Sequence, residues 1–190
     1  MDILDVNRSD NMKINIEIER LILRELEKND REKMNYICNQ PHILKWMPDW
    51  ESTIEQIDDS IAFFQKCYIV NDINKKPILL GITSKESDEL IGTIALGPKE
   101  EVNNEVEVCY YLSKEHCNKG YITEATKVMV QWGLERYNKE FIMAIVELDN
   151  ISSQKVIEKS GFTKVDTRDV DHEGEMKPFF YYRIYSRGNK

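Results

Sequence analysis

From Ile14 to Leu26 apolar and charged residues mostly alternate (IEIERLILREL), the period of a strand with one face buried and the other in water. Asn29 or Asp30 then stands where a helix N-cap is wanted. The helix runs over about Arg31 to Cys38, and Pro41 closes it because the residue ahead of a proline avoids helical geometry. Ser52-Thr53-Ile54-Glu55 has the form of a capping box, and Ile54, Ile57, Ile61, Phe64 and Tyr68 follow at helical spacing, which predicts a second helix. Between the two, HILKWMPDW puts Trp46, Met47 and Trp50 in a loop, at the edge of the core or as a lip facing a substrate.

The middle of the chain turns to strands. Pro77 to Thr83 and Glu89 to Leu96 are aliphatic runs separated by Ser84 to Asp88, and Glu105 to Leu112 (EVEVCYYL) alternates behind the Asn103-Asn104 break, so three consecutive strands make a meander. Ile122, Ala125, Met129 and Trp132 form a helical stripe that ends before Asn138, and FIMAIVEL from Phe141 to Leu148 reads as a fifth strand buried on both faces. Strand four, helix and strand five are therefore a crossover unit. Ser152 or Ser153 caps a shorter helix reaching Lys159, Gly161 supplies a left-handed C-terminal cap, and FTKVDT with FFYYRIYS forms a closing hairpin around Asp171 to Gly174. The pattern predicts one α/β (α+β) domain over 14–190 behind a polar leader over 1–13, with neither internal repeat nor linker.

Composition narrows the function classes. With 190 residues, 41% hydrophobic and 32% charged, the chain has the balance of a globular domain that needs neither disulfides nor metal. A net charge of −8 argues against nucleic acid as a partner, since phosphate backbones are held by clustered Lys and Arg, and its long-range field favours cations instead. Cys38, Cys67, Cys109 and Cys117 contain no C-x-x-C pair and the three histidines are scattered, so no metal site is expected. Free thiols, an acidic start and the absence of a membrane-length apolar run point to a cytoplasmic protein with no membrane partner; monomer and homodimer both stay open.

Two local sequences carry candidate chemistry. In HCNKGYITEA, Gly120 opens a helix, and a helix start presents unpaired N–H groups and a partial positive charge suited to phosphate. Asn150-Ile151-Ser152-Ser153 opens the next helix, where Asn150 and Ser153 equally suit an Asx turn and cap. Together, EVCYYLSKEHCNKGYITEATKVMVQWGLE and ELDNISSQKVIEKSGF strongly resemble the GNAT family of acetyl-CoA-dependent N-acetyltransferases, most closely its branch of bacterial acetyltransferases of ribosomal-protein N-termini. The resemblance runs from Leu21 almost to the end of the chain.

The resemblance implies a mixed, mostly antiparallel sheet of six to seven strands flanked by helices, with strands four and five splayed by a bulge in strand four. It implies that the family's Q/R-x-x-G-x-G/A diphosphate loop falls on Cys117, Asn118, Lys119, Gly120, Tyr121 and Ile122, leading into Thr123; Cys117 and Ile122 depart from that pattern. It implies that Tyr110, Tyr111 and Leu112 line a pantetheine slot, that Asn150 contacts the same arm, and that Ser153 sits by the thioester sulfur. Alternation puts Glu105, Glu107, Cys109 and Tyr111 on one face of strand four, and Glu107 matches the family's acidic position, so it is the candidate base with Ser153 or a nearby tyrosine as the acid. A solvated glutamate fits the same position. The expected reaction is direct transfer of an acetyl group from acetyl-CoA to a primary amine, either a protein N-terminus or a small cation such as a polyamine or aminoglycoside; an acyl-CoA sensor without catalysis is the other class. A thiol at a helix N-terminus should be acidified, which is the expectation for Cys117.

Overall fold

The computed structural model of the protein describes residues 13–172 and 174–186, so all of the polar leader but Lys13 lies outside the described residues. The chain runs β1 (Asn15–Glu17), β2 (Leu21–Arg24), α1 (Arg31–Cys38), α2 (Pro41–Leu44), α3 (Ile54–Val70), β3 (Ile78–Ser84), β4 (Leu90–Lys99), β5 (Glu105–Leu112), α4 (Tyr121–Arg136), β6 (Phe141–Glu147), α5 (Ile151–Lys159), β7 (Thr163–His172) and β8 (Glu175–Tyr185). Among the described residues eight strands form one sheet in the order β1-β2-β3-β4-β5-β6-β8-β7. Its neighbours are antiparallel except β5 and β6, which the α4 crossover makes parallel.

The eighth strand, one more than expected, comes from the first segment, which is a tight hairpin rather than a single strand. Ile16 pairs with Leu23, and the Ile18 amide donates to the Leu21 carbonyl at 3.0 Å. Ile14, Ile16 and Ile18 are buried at even positions and Leu21 and Leu23 at odd ones, so the alternation slips by one residue where the chain turns. The capping box also moves by one: Thr53 is the N-cap of α3, its Oγ1 accepting from the Gln56 amide while Gln56 Oε1 accepts from the Thr53 amide at 2.7 Å. Ser52 instead donates to the Trp50 carbonyl. Asp30 does not cap α1 with its side chain; its carboxylate takes a two-pronged bond from Arg24 at 2.7 and 2.8 Å and the Glu27 amide at 2.7 Å.

Helices cover both faces. α4 and α5 bury one, where Ala125, Met129 and Ile157 meet Leu21, Leu23, Ile94, Leu96, Val106 and Val108. α1 and α3 bury the other, where Met34, Ile37, Ile57 and Ile61 meet Leu79, Leu90 and Tyr111. Removing each such aliphatic side chain from water contributes about 1.5–3 kcal/mol, which is why short helices such as α1 hold on tertiary packing. A third cluster of Val102, Met143, Val170, Phe179 and Tyr181 lies across β6, β8 and β7.

The two halves of the sheet part between β5 and β6. β4 and β5 stay in register from Gly92↔Leu112 to Lys99↔Glu105, and β6 and β8 from Phe141↔Tyr185 to Glu147↔Phe179. Among the described residues β5 and β6 share one paired position, Glu107↔Met143. The expected bulge in strand four is not there: its register with β4 is unbroken, and the gap opens because each strand follows its own antiparallel partner. Gly92 lets β4 and β5 close up at the mouth of that gap, since a Cβ there would lie 2.3 Å from the Tyr111 carbonyl oxygen. That atom belongs to the backbone and cannot rotate away, so Gly92→Ala is expected to lose about 1–3 kcal/mol in urea denaturation; an unchanged midpoint would contradict this packing.

Candidate active site

The gap, the N-terminus of α4 and the N-terminus of α5 lie at one end of the sheet, where Tyr110, Leu112, the turn from Cys117 to Thr123, Asn150 and Ser153 stand, while Glu107 and Tyr111 alternate onto the opposite face of β5. The Ser113 amide donates to the Ile91 carbonyl on β4 at 2.8 Å. Backbone direction alternates along an antiparallel strand, so Leu112 and Tyr110 turn their amides and carbonyls toward the opened β6 side. The Leu112 carbonyl accepts from His42 Nε2 at 3.0 Å, which leaves the Leu112 N–H and both Tyr110 groups directed at the gap. Such a row of backbone groups can take an extended amide-bearing chain as an added strand.

Past β5, Asn118 (φ 61°) and Gly120 (φ 81°) both adopt left-handed backbone, and their alternation with Lys119 curls the chain into a concave turn ahead of α4. Gly120 is the N-cap and has no side chain to fill the end of the helix. The first intrahelical bond runs from the Glu124 amide to the Gly120 carbonyl, so the amides of Tyr121, Ile122 and Thr123 precede the ladder and face outward. Free amides grouped in this way at a helix start can hold an anion. Ile122 does not crowd them, because its side chain packs against the core cluster under α4.

Cys117 behaves contrary to expectation. It ends a 3-10 turn (Lys114–His116) before these amides, and its Sγ lies 3.5 Å from the Ser113 carbonyl and 3.9 Å from that of Leu112. Burial, and then the Glu115 carboxylate, raise its pKa above the ordinary thiol value. The helix field that acidifies thiols belongs to α4, which starts four residues later.

Asn150 is the N-cap of α5, and its Oδ1 accepts from the Ser153 amide at 3.1 Å and from the Ser152 hydroxyl at 2.9 Å, so Asn150 rather than a serine caps the helix. Ser153 Oγ is 3.0 Å from the Tyr110 hydroxyl, which bridges β5 and α5 across the opening. Burial raises the Tyr110 pKa, so this hydroxyl holds its proton at neutral pH. Tyr111 points to the other face, where it is buried and meets the edge of Trp50 at 5.2 Å; Trp50 thus packs at the core's edge.

Of the two carboxylates on the Glu105 face, one is already engaged. Glu105 binds Arg183 Nη2 at 2.9 Å and accepts from the Tyr181 hydroxyl, while Arg183 lies 3.8 Å over the Phe141 ring. Glu107 stands at the single β5–β6 junction. Burial pushes its pKa up to about 7 against the opposing pull of Lys99 and the Ile145 backbone amide, with Glu101 adding to the rise. A carboxyl poised at that value can give or take a proton near neutrality.

Sequence reasoning missed Arg20, from the β1–β2 turn. Its amide and Nε donate to Glu124 at 3.1 and 2.8 Å, its Nη1 donates to the Lys119 carbonyl at 3.0 Å, and its guanidinium lies 4.5 Å over the Tyr121 ring. The contacts span about a hundred residues of chain, and no local spacing signals them. His42 was missed for the same reason. A cavity of about 450 Å³ beside α1 is lined in part by Tyr36, Gln40, Lys114 and Glu115; the Tyr36 hydroxyl donates to Glu115 at 2.9 Å, and Gln40 Oε1 accepts from the Lys114 backbone amide at 2.9 Å. Among the described residues no group of His, Cys, Asp and Glu is gathered to hold a metal ion, and no helix is long and apolar enough to cross a membrane.

One consequence is open to direct measurement. The alkylation rate of Cys117 is expected to rise with pH along a midpoint above that of an ordinary thiol, followed by mass spectrometry of the modified peptide; a midpoint below it would show the helix field reaching the sulfur.

The family model described as an acetyltransferase (GNAT) domain matches residues 20–163. An uncharacterized N-acetyltransferase, p20 of Bacillus licheniformis, is 29% identical over 147 residues, which cover 77% of this chain and 80% of the relative. Among solved structures, the ribosomal-protein-S5-alanine acetyltransferase from Vibrio fischeri superposes with a TM-score of 0.76 at 20% identity, over 93% of this chain and 99% of its own. RimL, a ribosomal L7/L12 alpha-N-protein acetyltransferase solved in complex with coenzyme A, gives 0.75 at 13% identity over 91% and 98%. At those identities the structures bear on the fold alone. The match over residues 20–163 shows that the chain belongs to the GNAT acetyltransferase family: it is an N-acetyltransferase, and acetyl-CoA is its acetyl donor.

Proposed function

We propose that this enzyme transfers the acetyl group directly to the α-amine of a polypeptide, with the diphosphate of acetyl-CoA on the turn from Cys117 to Thr123 and its pantetheine arm along Tyr110 to Leu112. One observation carries the reading: the β5–β6 ladder ends after Glu107↔Met143, between a carboxyl titrating near neutrality and the uncapped start of α4. Asn150, which caps α5 at the edge of the gap, contacts the same arm.

In this reading Glu107 takes a proton from the ammonium of the acceptor, directly or through one water, and so frees the lone pair. The nitrogen bonds to the thioester carbonyl carbon as the carbon–sulfur bond breaks, the Tyr110–Ser153 hydroxyl pair hands a proton to the leaving thiolate, and the second proton shed by the acylated nitrogen passes through water to restore that pair. Tyr110 is suited to donate because burial keeps it protonated. The half-buried Cys109 thiol, pushed up to about 12 by desolvation and then by Glu107, is too weakly acidic to serve as an acetyl carrier.

Proton matching favours the α-amine. Against a base titrating near 7, an α-amine of pKa about 8 gives up its proton at a cost of about 1.4 kcal/mol, whereas a lysine side chain near 10.4 costs about 4.6 kcal/mol. Two structurally similar proteins, the S5-alanine enzyme and RimL, carry names of the same acceptor class. The net charge of −8 favours a cationic acceptor through long-range attraction, which suits a basic peptide or a polyamine alike. Four free cysteines fit a reducing, cytoplasmic setting.

The test is release of free CoA thiol from acetyl-CoA on addition of peptides with free N-termini, N-terminally blocked lysine peptides, polyamines and aminoglycosides, against amine-free controls. Release with free N-termini and not with blocked peptides is expected. Release with polyamines alone would move the acceptor to small polycations.

Glu107→Gln is expected to lower kcat by about a hundredfold and to remove the fall in kcat/KM that the wild type shows as pH drops through about 7; an unchanged profile contradicts the base assignment. The same shift bears on stability. A carboxyl whose folded pKa is raised binds its proton more tightly in the native state, so its ionisation opposes folding as pH rises from the unfolded value, about 4.3, through the folded one. Glu107→Gln should therefore raise the melting temperature relative to wild type at pH 8 and leave it little changed at pH 4.

A further inference from the structure

Glu124 sits in the first turn of α4, where its negative charge would oppose any anion bound at the amides of Tyr121, Ile122 and Thr123 just before it. Its two oxygens are held by the Arg20 amide at 3.1 Å and by Arg20 Nε and Nη2, each at 2.8 Å. Through Nη1 the same guanidinium fixes the Lys119 carbonyl, at 3.0 Å, on the strand side of the turn, and its plane rests 4.5 Å over Tyr121. It also passes close to Gly120, where Arg20 Nη2 lies 3.5 Å from the point a Cβ would occupy. Two guanidinium N–H groups donate, Nε to Glu124 and Nη1 to Lys119, and Nη2 adds an ion-pair contact to Glu124.

We infer that Arg20 is a positioning residue for the donor substrate: it neutralises Glu124 and locks the Lys119 carbonyl, so that the turn presents amides and positive charge to a diphosphate. The inference rests on the proposed placement of the diphosphate and adds a residue outside the loop itself. It explains how an acidic side chain is tolerated in the first turn of an anion-binding helix. It also gives the three-residue break between β1 and β2 a task, since that turn delivers Arg20 to the start of α4. Arginine is needed rather than lysine because one planar fork must meet a carboxylate and a carbonyl together, which a single ammonium on a flexible stem does less well.

The experiment compares acetyl-CoA with S-acetylpantetheine, which carries the same thioester but no diphosphate, in steady-state kinetics of wild type, Arg20→Ala, Arg20→Lys and the double variant Arg20→Ala with Glu124→Gln. Arg20→Ala is expected to raise KM for acetyl-CoA tenfold or more with kcat within about twofold, and to leave kcat/KM for S-acetylpantetheine close to wild type. The double variant should recover most of the lost affinity, because the unmasked carboxylate is gone, and Arg20→Lys should fall between. Equal losses on both donors, or no recovery in the double variant, would overturn the inference by making Arg20 a packing residue only. A wild type that does not distinguish the two donors would overturn the diphosphate placement itself, and this inference with it. Thermal melts of each variant separate misfolding from these outcomes, since the donor ratio is read on the folded fraction.

Discussion

The constraint on which the molecule turns is that β5 and β6 are each committed to another strand. β5 is zipped to β4 over its full length and β6 to β8, and the right-handed twist carried by each antiparallel half leaves the two strands, among the described residues, together at Glu107 and Met143 only. A parallel pair joined by a helix normally buries its ladder. Here the ladder is abandoned after one position, and the hydrogen-bonding groups it leaves toward the gap are the Leu112 N–H and both groups of Tyr110. Helices α4 and α5 start on either side of that opening, so the gap, the free amides at the start of α4 and the Tyr110–Ser153 bridge follow from one topological fact.

Electrostatics then differentiate groups that look alike along the chain. Glu105 and Glu107 share a face of β5, yet Arg183 and the Tyr181 hydroxyl hold Glu105, while Glu107 has burial as its dominant influence and titrates near neutrality. Tyr110 and Tyr111 are adjacent, yet one bridges to α5 and the other is sealed beneath Trp50. Cys109 and Cys117 flank the same segment, and both are made less acidic by burial. Position relative to the gap, more than residue type, decides which group is available for chemistry.

Much of this was legible in the sequence because the signals were local. The meander of β3, β4 and β5, the α4 stripe and the buried run of β6 follow from periodicities of 2 and 3.6, and the helix start at Gly120 from its glycine, while the cap of α5 was expected at Ser152 or Ser153 and falls on Asn150. The errors were local as well: a one-residue slip in alternation hid the turn between Ile18 and Leu21, and two overlapping boxes, Ser52–Glu55 and Thr53–Gln56, are equally good as strings. Long-range partnerships were not legible. Arg20 with Glu124, His42 with Leu112 and Arg24 with Asp30 are set by which strands lie side by side, and side-chain patterns carry no record of that. The bulge was borrowed from the family's architecture, and β5 achieves the same opening without it.

The central claim is that the donor lies along the edge of β5 with its diphosphate at the start of α4, and residue-resolved hydrogen exchange with and without acetyl-CoA tests it most directly. Slowed exchange at Tyr110, Leu112, Tyr121, Ile122 and Thr123, with little change at β1 or β7, is the expected result. Protection confined instead to the cavity beside Tyr36 and Gln40, or absent from β5 at saturating donor, would contradict it.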